Sequence, residues 1–271
     1  MIEMEELLAQ CHWPPLSAPY DRALRDAVAF ILQRFDVLGI VASGTIIRGN
    51  PGPSSDLDIY VIHAQQKRQR IQKLFNQVPA EVFVNPVSAI EGYLRDERKE
   101  GRPLTAHMLA TGFVILDRDP VVEQLRQRAR ALLAEPPNPD EAQLTWLRYR
   151  AALQYEDALD IALTQPAGAN MILSAAVHDM LRYRFWTANR YLPRDKDLLD
   201  ALEEIDPDLA ASAQEFYATA DIARRFALAE EIATRTIEAH GFFEWESKLK
   251  LRAPDVGSES LTRESARRPP E

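Results

Sequence analysis

Residues 43–62 read Ser43-Gly44-Thr45-Ile46-Ile47-Arg48-Gly49-Asn50-Pro51-Gly52-Pro53-Ser54-Ser55-Asp56-Leu57-Asp58-Ile59-Tyr60-Val61-Ile62. The second half is an apolar run of strand length interrupted at its start by two aspartates one residue apart. Residues two apart on a strand point to the same side, so Asp56 and Asp58 present their carboxylates to one point in space. Two carboxylates so aimed repel each other unless a cation lies between them. A lone Asp-x-Asp is a weak signal, and its context supplies the specificity.

Working outward, Asp36 to Ala42 is a near-continuous apolar run of the kind that forms a buried strand. It runs into the glycine turn Ser43 to Gly49, and a Gly, Pro and Ser-rich segment then leads to the aspartates. Downstream, Glu81 opens a third predicted strand, Ala80 to Val84, and supplies a third carboxylate. Hard oxygen donors on neighbouring strands are the ligand set of Mg²⁺. Gly44 allows close backbone approach to a phosphate, Thr45 and Ser55 offer hydroxyls, and Arg48 offers charge to a leaving group. The arrangement reads as a Mg²⁺ nucleotide site with Asp56, Asp58 and Glu81 as ligands. The same turn invites a P-loop reading, but Gly49 is followed by Asn50-Pro51, so the lysine and hydroxyl of that motif are both missing.

These residues resemble a known signature. Gly44-Thr45 to Gly49, followed by Ser55-Asp56-Leu57-Asp58, looks like the Gly-Ser then Asp-x-Asp pattern of the DNA polymerase β-like nucleotidyltransferase superfamily, and Thr111 to Asp119 is similar to the strand that often ends its catalytic domain. The resemblance covers about residues 25–134. It implies a nucleotidyltransferase domain in which Gly44 and Thr45 bind phosphate, Asp56 and Asp58 bind metal, and Glu81 is the third carboxylate. Two departures stand out: Thr45 replaces a serine, and Glu81 stands where aspartate is common.

The rest of the chain sets the architecture. Helical spacing predicts helices at Pro19 to Phe35, Gln65 to Gln77, Val87 to Lys99, Pro103 to Leu109 and Val121 to Leu133, with a fourth strand at Gly112 to Leu116. Ala134-Glu135-Pro136-Pro137-Asn138-Pro139 is the clearest linker. Beyond it the pattern is helical: Asp140 to Gln165, Ala167 to Tyr191, Asp208 to Ala218 after the cap and proline Asp206-Pro207, and Asp221 to His240. The expected fold is an α/β (α+β) catalytic domain with a small mixed sheet at 1–134, an all-α helical bundle at 135–250, and a disordered tail at 251–271 whose Ser, Glu, Arg and Pro composition lacks periodicity. The bundle resembles the second domains of aminoglycoside-type members with small acceptors.

Charge narrows the partners. The net charge of −9 falls entirely on residues 135–250, which carry 12 Lys/Arg against 21 Asp/Glu. That argues against a bulk nucleic-acid surface there and is compatible with a cationic acceptor. The longest apolar stretches are about six residues, far below the roughly 20 of a membrane span. Cys11 is the only cysteine, so an internal disulfide is excluded, and the acidic start Met1 to Glu6 is unlike a secretory signal; a cytoplasmic location is expected.

The helical half carries four further features. Arg235 and His240 have the spacing of a HEPN-type ribonuclease motif, but four intervening residues put them about one and a half turns apart rather than on one face. His178-Asp179 reads as a surface pair, and Lys196 as a solvated lysine able to reach a triphosphate. Glu156 and Asp160 lie four apart on one helix, with Arg148 and Arg150 as the expected offset to their repulsion. The expected activity is transfer of AMP from ATP, over two Mg²⁺ ions, to a hydroxyl of a small acceptor of cationic type. Alternatives are a binding or antitoxin protein of the same fold with little turnover, and an enzyme modifying a protein or tRNA.

Overall fold

The computed structural model describes residues 2–247; the tail at 251–271 lies outside them. The first half contains α1 (Ile2–Ala9), α2 (Ala18–Leu32), β1 (Val37–Ser43), the single turn α3 (Gly44–Ile47), β2 (Leu57–His63), β3 (Gln69–Phe75), β4 (Val78–Pro86), α4 (Val87–Glu100), α5 (Leu104–Thr111), β5 (Phe113–Asp117) and α6 (Val121–Ala134). The second half is helical: α7 (Glu141–Ile161), α8 (Pro166–Thr187), a 3₁₀ turn (Asp195–Asp197), α9 (Leu198–Glu203), α10 (Pro207–Ala218) and α11 (Ile222–Thr236).

The five strands form one mixed sheet in the order β3-β4-β2-β1-β5. β2 and β4 run parallel, and the other neighbours are antiparallel. One face packs on α2 through Ala23, Leu24, Ala27, Val28 and Ile31. The other packs on α4, α5 and α6 through Ile90, Leu109, Leu125 and their neighbours. The central strands are buried on both faces, which is why they read as continuous apolar runs. A separate core unites the bundle, running from Leu147 to Ala239.

One predicted element is overturned. Residues 65–77 do not form a helix; Gln69–Phe75 is an edge strand pairing antiparallel with β4. Ile71, Leu74 and Phe75 have helical spacing, but the structure uses Ile71 and Phe75 on the α2 side of the sheet and leaves Leu74 exposed. Asn76 and Gln77 both have positive φ, 48° and 67°, and close a two-residue hairpin of the twist that matches paired strands. The last long helix also stops short of His240, at Thr236, and the chain turns at Glu238 with φ 51°. α8 ends at Thr187 rather than Tyr191.

Caps follow the sequence more closely. Asp206 accepts from the Leu209 amide and opens α10, with Pro207 at the first helical position. Asp140 and Gln143 form a capping box on α7. The α8 end docks on the sheet half. Gly101 ends α4 with φ 68°, Trp186 lies against it, and its carbonyl accepts from the Leu192 amide at 2.7 Å. Tyr191 Oη donates to the Leu132 carbonyl at 3.2 Å.

Candidate active site

Sheet register aligns the acidic side chains. Ser43 of β1, Asp58 of β2, Glu81 of β4 and Gln72 of β3 form one row across four strands. The next row on the same face is Val41, Tyr60, Phe83 and Arg70. Asp56 enters from the residue before β2, and carboxylate oxygens of Asp56, Asp58 and Glu81 lie within 4.8 Å of one another. The even spacing seen in the sequence thus produces convergence, and the parallel β2–β4 pair brings in Glu81.

The electrostatics record the crowding. Burial first, and the neighbouring Asp56 and Glu81 after it, push the Asp58 carboxyl up to about 6 against the opposing charges of Arg48 and Arg194. Glu81 moves the other way: its hydrogen bond from Arg70 holds it below the usual carboxylate range, with Gln72 helping against partial burial. Arg70 Nε lies 2.5 Å and Gln72 Nε2 3.0 Å from Glu81 Oε1. The Arg70 guanidinium also sits over the Phe83 ring, 4.8 Å from its centroid.

Gly44 has φ 91°, and a Cβ there would meet Asp58 Oδ2 at 2.7 Å. The position therefore needs glycine for both backbone and space. Thr45 Oγ1 lies 2.7 Å from Ser55 Oγ, which in turn accepts from the Gly52 amide at 2.8 Å. This tie fixes the Gly49 to Ser55 loop against α3 and so fixes the approach to Asp56. Arg48 is exposed at the C-cap of α3.

Hard carboxylate oxygens this close suit a divalent cation such as Mg²⁺, which would relieve the repulsion that raises Asp58. The hold of Arg70 on Glu81 is the contact such an ion must share or displace. A cleft of about 430 Å³, lined by Asp56, Gln72, Lys73 and Glu81 among others, opens beside the acids.

Three residues at or near the site escaped the sequence reading. Arg70 and Gln72 lie on the stretch read as a helix; the signal for them was the Asn76-Gln77 hairpin between apolar residues. Arg194, rather than the neighbouring Lys196, is the helical-half cation whose charge acts on Asp58.

The other candidates do not converge. Arg235 pairs with Asp206 at 2.7 Å, while His240 contacts Thr234. Asp179 is buried rather than at the surface, and binds Arg150 through both oxygens at 2.6 and 2.8 Å. Arg148 donates to the Ile237 carbonyl, so neither arginine serves Glu156 and Asp160 as expected. Among the described residues no helix is long and apolar enough to cross a membrane.

No family model matches the sequence, and a comparison with curated proteins finds no relative. Among solved structures, a nucleotidyltransferase-like protein from Exiguobacterium sibiricum 255-15 is similar at a TM-score of 0.50 and 13% identity, over 80% of this chain and 73% of that one. The fold is nucleotidyltransferase-like. A share of 80% exceeds what residues 1–134 supply, so the likeness extends into the helical half. The mixed five-stranded sheet followed by helices agrees with the architecture read from the sequence.

Proposed function

We propose that the chain is a Mg²⁺-dependent nucleotidyltransferase that moves a nucleoside monophosphate, AMP from ATP, to a hydroxyl of a small acceptor. The observation that carries this reading is the convergence of Asp56, Asp58 and Glu81 within 4.8 Å beside the Gly44-Thr45 turn. In the reaction the acceptor oxygen bonds to the α-phosphorus as the bond from that phosphorus to the bridging oxygen of pyrophosphate breaks. Asp56, Asp58 and Glu81 would hold Mg²⁺, whose chemistry is to acidify the acceptor hydroxyl and offset charge on the leaving pyrophosphate. Gly44 leaves space for the phosphates, Thr45 and Ser55 present hydroxyls, and Arg48 with Arg194 supplies positive charge on the pyrophosphate side. Glu81, paired with Arg70 at 2.5 Å, would serve as a ligand, and the proton of the acceptor hydroxyl passes to solvent.

The test is release of pyrophosphate, and transfer of α-phosphate label, from ATP on incubation with a small-molecule cell extract, with protein and tRNA fractions run in parallel. Asp56→Ala and Asp58→Ala should each lower turnover by at least about a hundredfold while the fold is retained. Unchanged turnover in both variants contradicts the proposal. One observation favours a second reading, a nucleotide-binding protein with little turnover: Arg70 and Gln72 already engage Glu81. Binding of Mg²⁺-ATP without pyrophosphate release would select it.

A further inference from the structure

The row that follows Asp58 and Glu81 on the same sheet face, Tyr60, Phe83 and Arg70, forms one wall of a second cavity. Arg68, Tyr93 and Glu97 help to close it around a volume of about 460 Å³, within the range of small-molecule sites. At roughly 3.3 Å per strand residue, Tyr60 lies about 7 Å along the sheet from Asp58.

The two flanks of the acidic cluster differ in kind. The Gly44 turn and Arg48 follow β1 on one side of β2, whereas this cavity lies over β4 and β3 on the other. In-line displacement places the attacking hydroxyl opposite the leaving pyrophosphate. With the pyrophosphate on the Gly44 flank, the acceptor belongs on the β4–β3 flank, where this cavity lies together with the cleft beside the acids.

The charges of the lining then limit what the acceptor is. Arg70 is committed to Glu81. Glu97 is the one acid in the lining, and its carboxylate accepts from the Thr105 backbone amide, shared between both oxygens at 3.0 and 2.8 Å, and from the Ala106 amide at 3.4 Å. Arg68 donates to Tyr93 Oη at 2.9 Å and has no carboxylate partner among the described residues. Tyr60 is 2% exposed, and its Oη lacks a hydrogen-bond partner among the described residues, with Thr105 and Asn85 as polar neighbours. A buried hydroxyl left unpaired is costly, and Tyr60 Oη has Thr105, Asn85 or an atom in the cavity to meet it.

We infer that this cavity seats the hydroxyl acceptor of the reaction proposed above, on which the inference rests, and that the acceptor carries a carboxylate bound by the Arg68 guanidinium. Its body lies against Phe83 and Tyr93, and one of its polar atoms bonds to Tyr60 Oη. The planar guanidinium fork matches a carboxylate in two parallel hydrogen bonds. The excess acid of the helical half does not line this cavity, so it does not select the acceptor.

Three phenols of one skeleton test the charge assignment: 4-hydroxyphenylacetate, 2-(4-hydroxyphenyl)ethanol and tyramine, titrated onto the full chain by ligand-detected NMR. The anionic phenol should bind at least tenfold more tightly than tyramine, with the neutral one between them. Arg68→Gln should remove that preference, and the isosteric Tyr60→Phe should weaken the anionic phenol several-fold. Equal or tighter binding of tyramine, an affinity for the anion that survives Arg68→Gln, or no binding of any of the three overturns the inference. Binding of Mg²⁺-ATP to the same wild-type preparation is measured alongside. Its absence defeats the proposed function, whereas its presence with the wrong charge preference defeats this inference alone.

Discussion

Asp58 carries the electrostatic strain of the acidic cluster. Its folded value of about 6 lies above the usual 3.8 because of burial first and of Asp56 and Glu81 second. Between these values the folded chain binds more protons than the unfolded one, so its stability falls as pH rises and the loss is complete above about 6. In the presence of a chelator, the thermal midpoint of wild type should therefore drop between about pH 4 and 6 relative to that of Asp58→Asn. Parallel profiles for the two proteins would contradict this. At Gly44, alanine brings a Cβ to 2.7 Å from Asp58 Oδ2 at a φ of 91°. Gly44→Ala should cost about 1–3 kcal/mol in a urea titration and lower any nucleotide turnover at least tenfold. Asp56 and Asp58 were legible in the sequence because strand geometry alone makes them neighbours. The ion pair of Arg70 with Glu81 was not, since it depends on which strand lies next to β4.

At the scale of elements, the β3–β4 hairpin shows what spacing leaves open. Ile71, Leu74 and Phe75 fit one helical face as well as they fit a strand, and the choice is made by pairing with β4 and by Phe75 packing edge-on against Phe30. The two-residue turn at Asn76-Gln77 was the local clue. Gln77 holds φ 67° without the freedom of glycine. Gln77→Gly should raise stability by about 0.5–1 kcal/mol in denaturant titration, since the left-handed conformation costs a side-chain-bearing residue about 1–2 kcal/mol. No gain would show that the turn is relaxed as it stands. The buried central strands were legible because both their faces are apolar. Asp206 was legible as a cap, but its ion pairs with Arg235 and Arg184 at 2.7 and 3.6 Å were not, because they join elements distant in the chain. Asp206→Ala should cost about 2–3 kcal/mol, more than the roughly 1 kcal/mol of a cap alone.

Across the whole molecule, the two halves meet where α4 ends. Gly101, Trp186 and Leu192 form the contact, and the segment that follows carries Arg194 toward the acids. A half with an overall acidic charge thus holds a cation, paired with Asp197 at 2.5 Å, whose charge still acts on Asp58, a fact that net charge conceals. The sequence could show that the second half is helical, but not which of its cations acts on Asp58, because that depends on the loop after α8. Arg194→Gln should raise the Mg²⁺-ATP concentration needed for half-maximal turnover about tenfold with little change in thermal midpoint, as for loss of one charged phosphate contact. An unchanged ATP dependence would remove Arg194 from the site.

The central claim is that three carboxylates and a glycine turn hold a divalent ion together with a nucleoside triphosphate. Calorimetric titration of ATP, with Mg²⁺ and then with chelator, onto wild type and the Asp56→Asn/Asp58→Asn double variant tests it most directly. Saturable binding to wild type that requires Mg²⁺ and vanishes in the double variant is the predicted result. Binding of equal strength with chelator, or in the double variant, would contradict it, as would no binding to wild type at millimolar Mg²⁺-ATP.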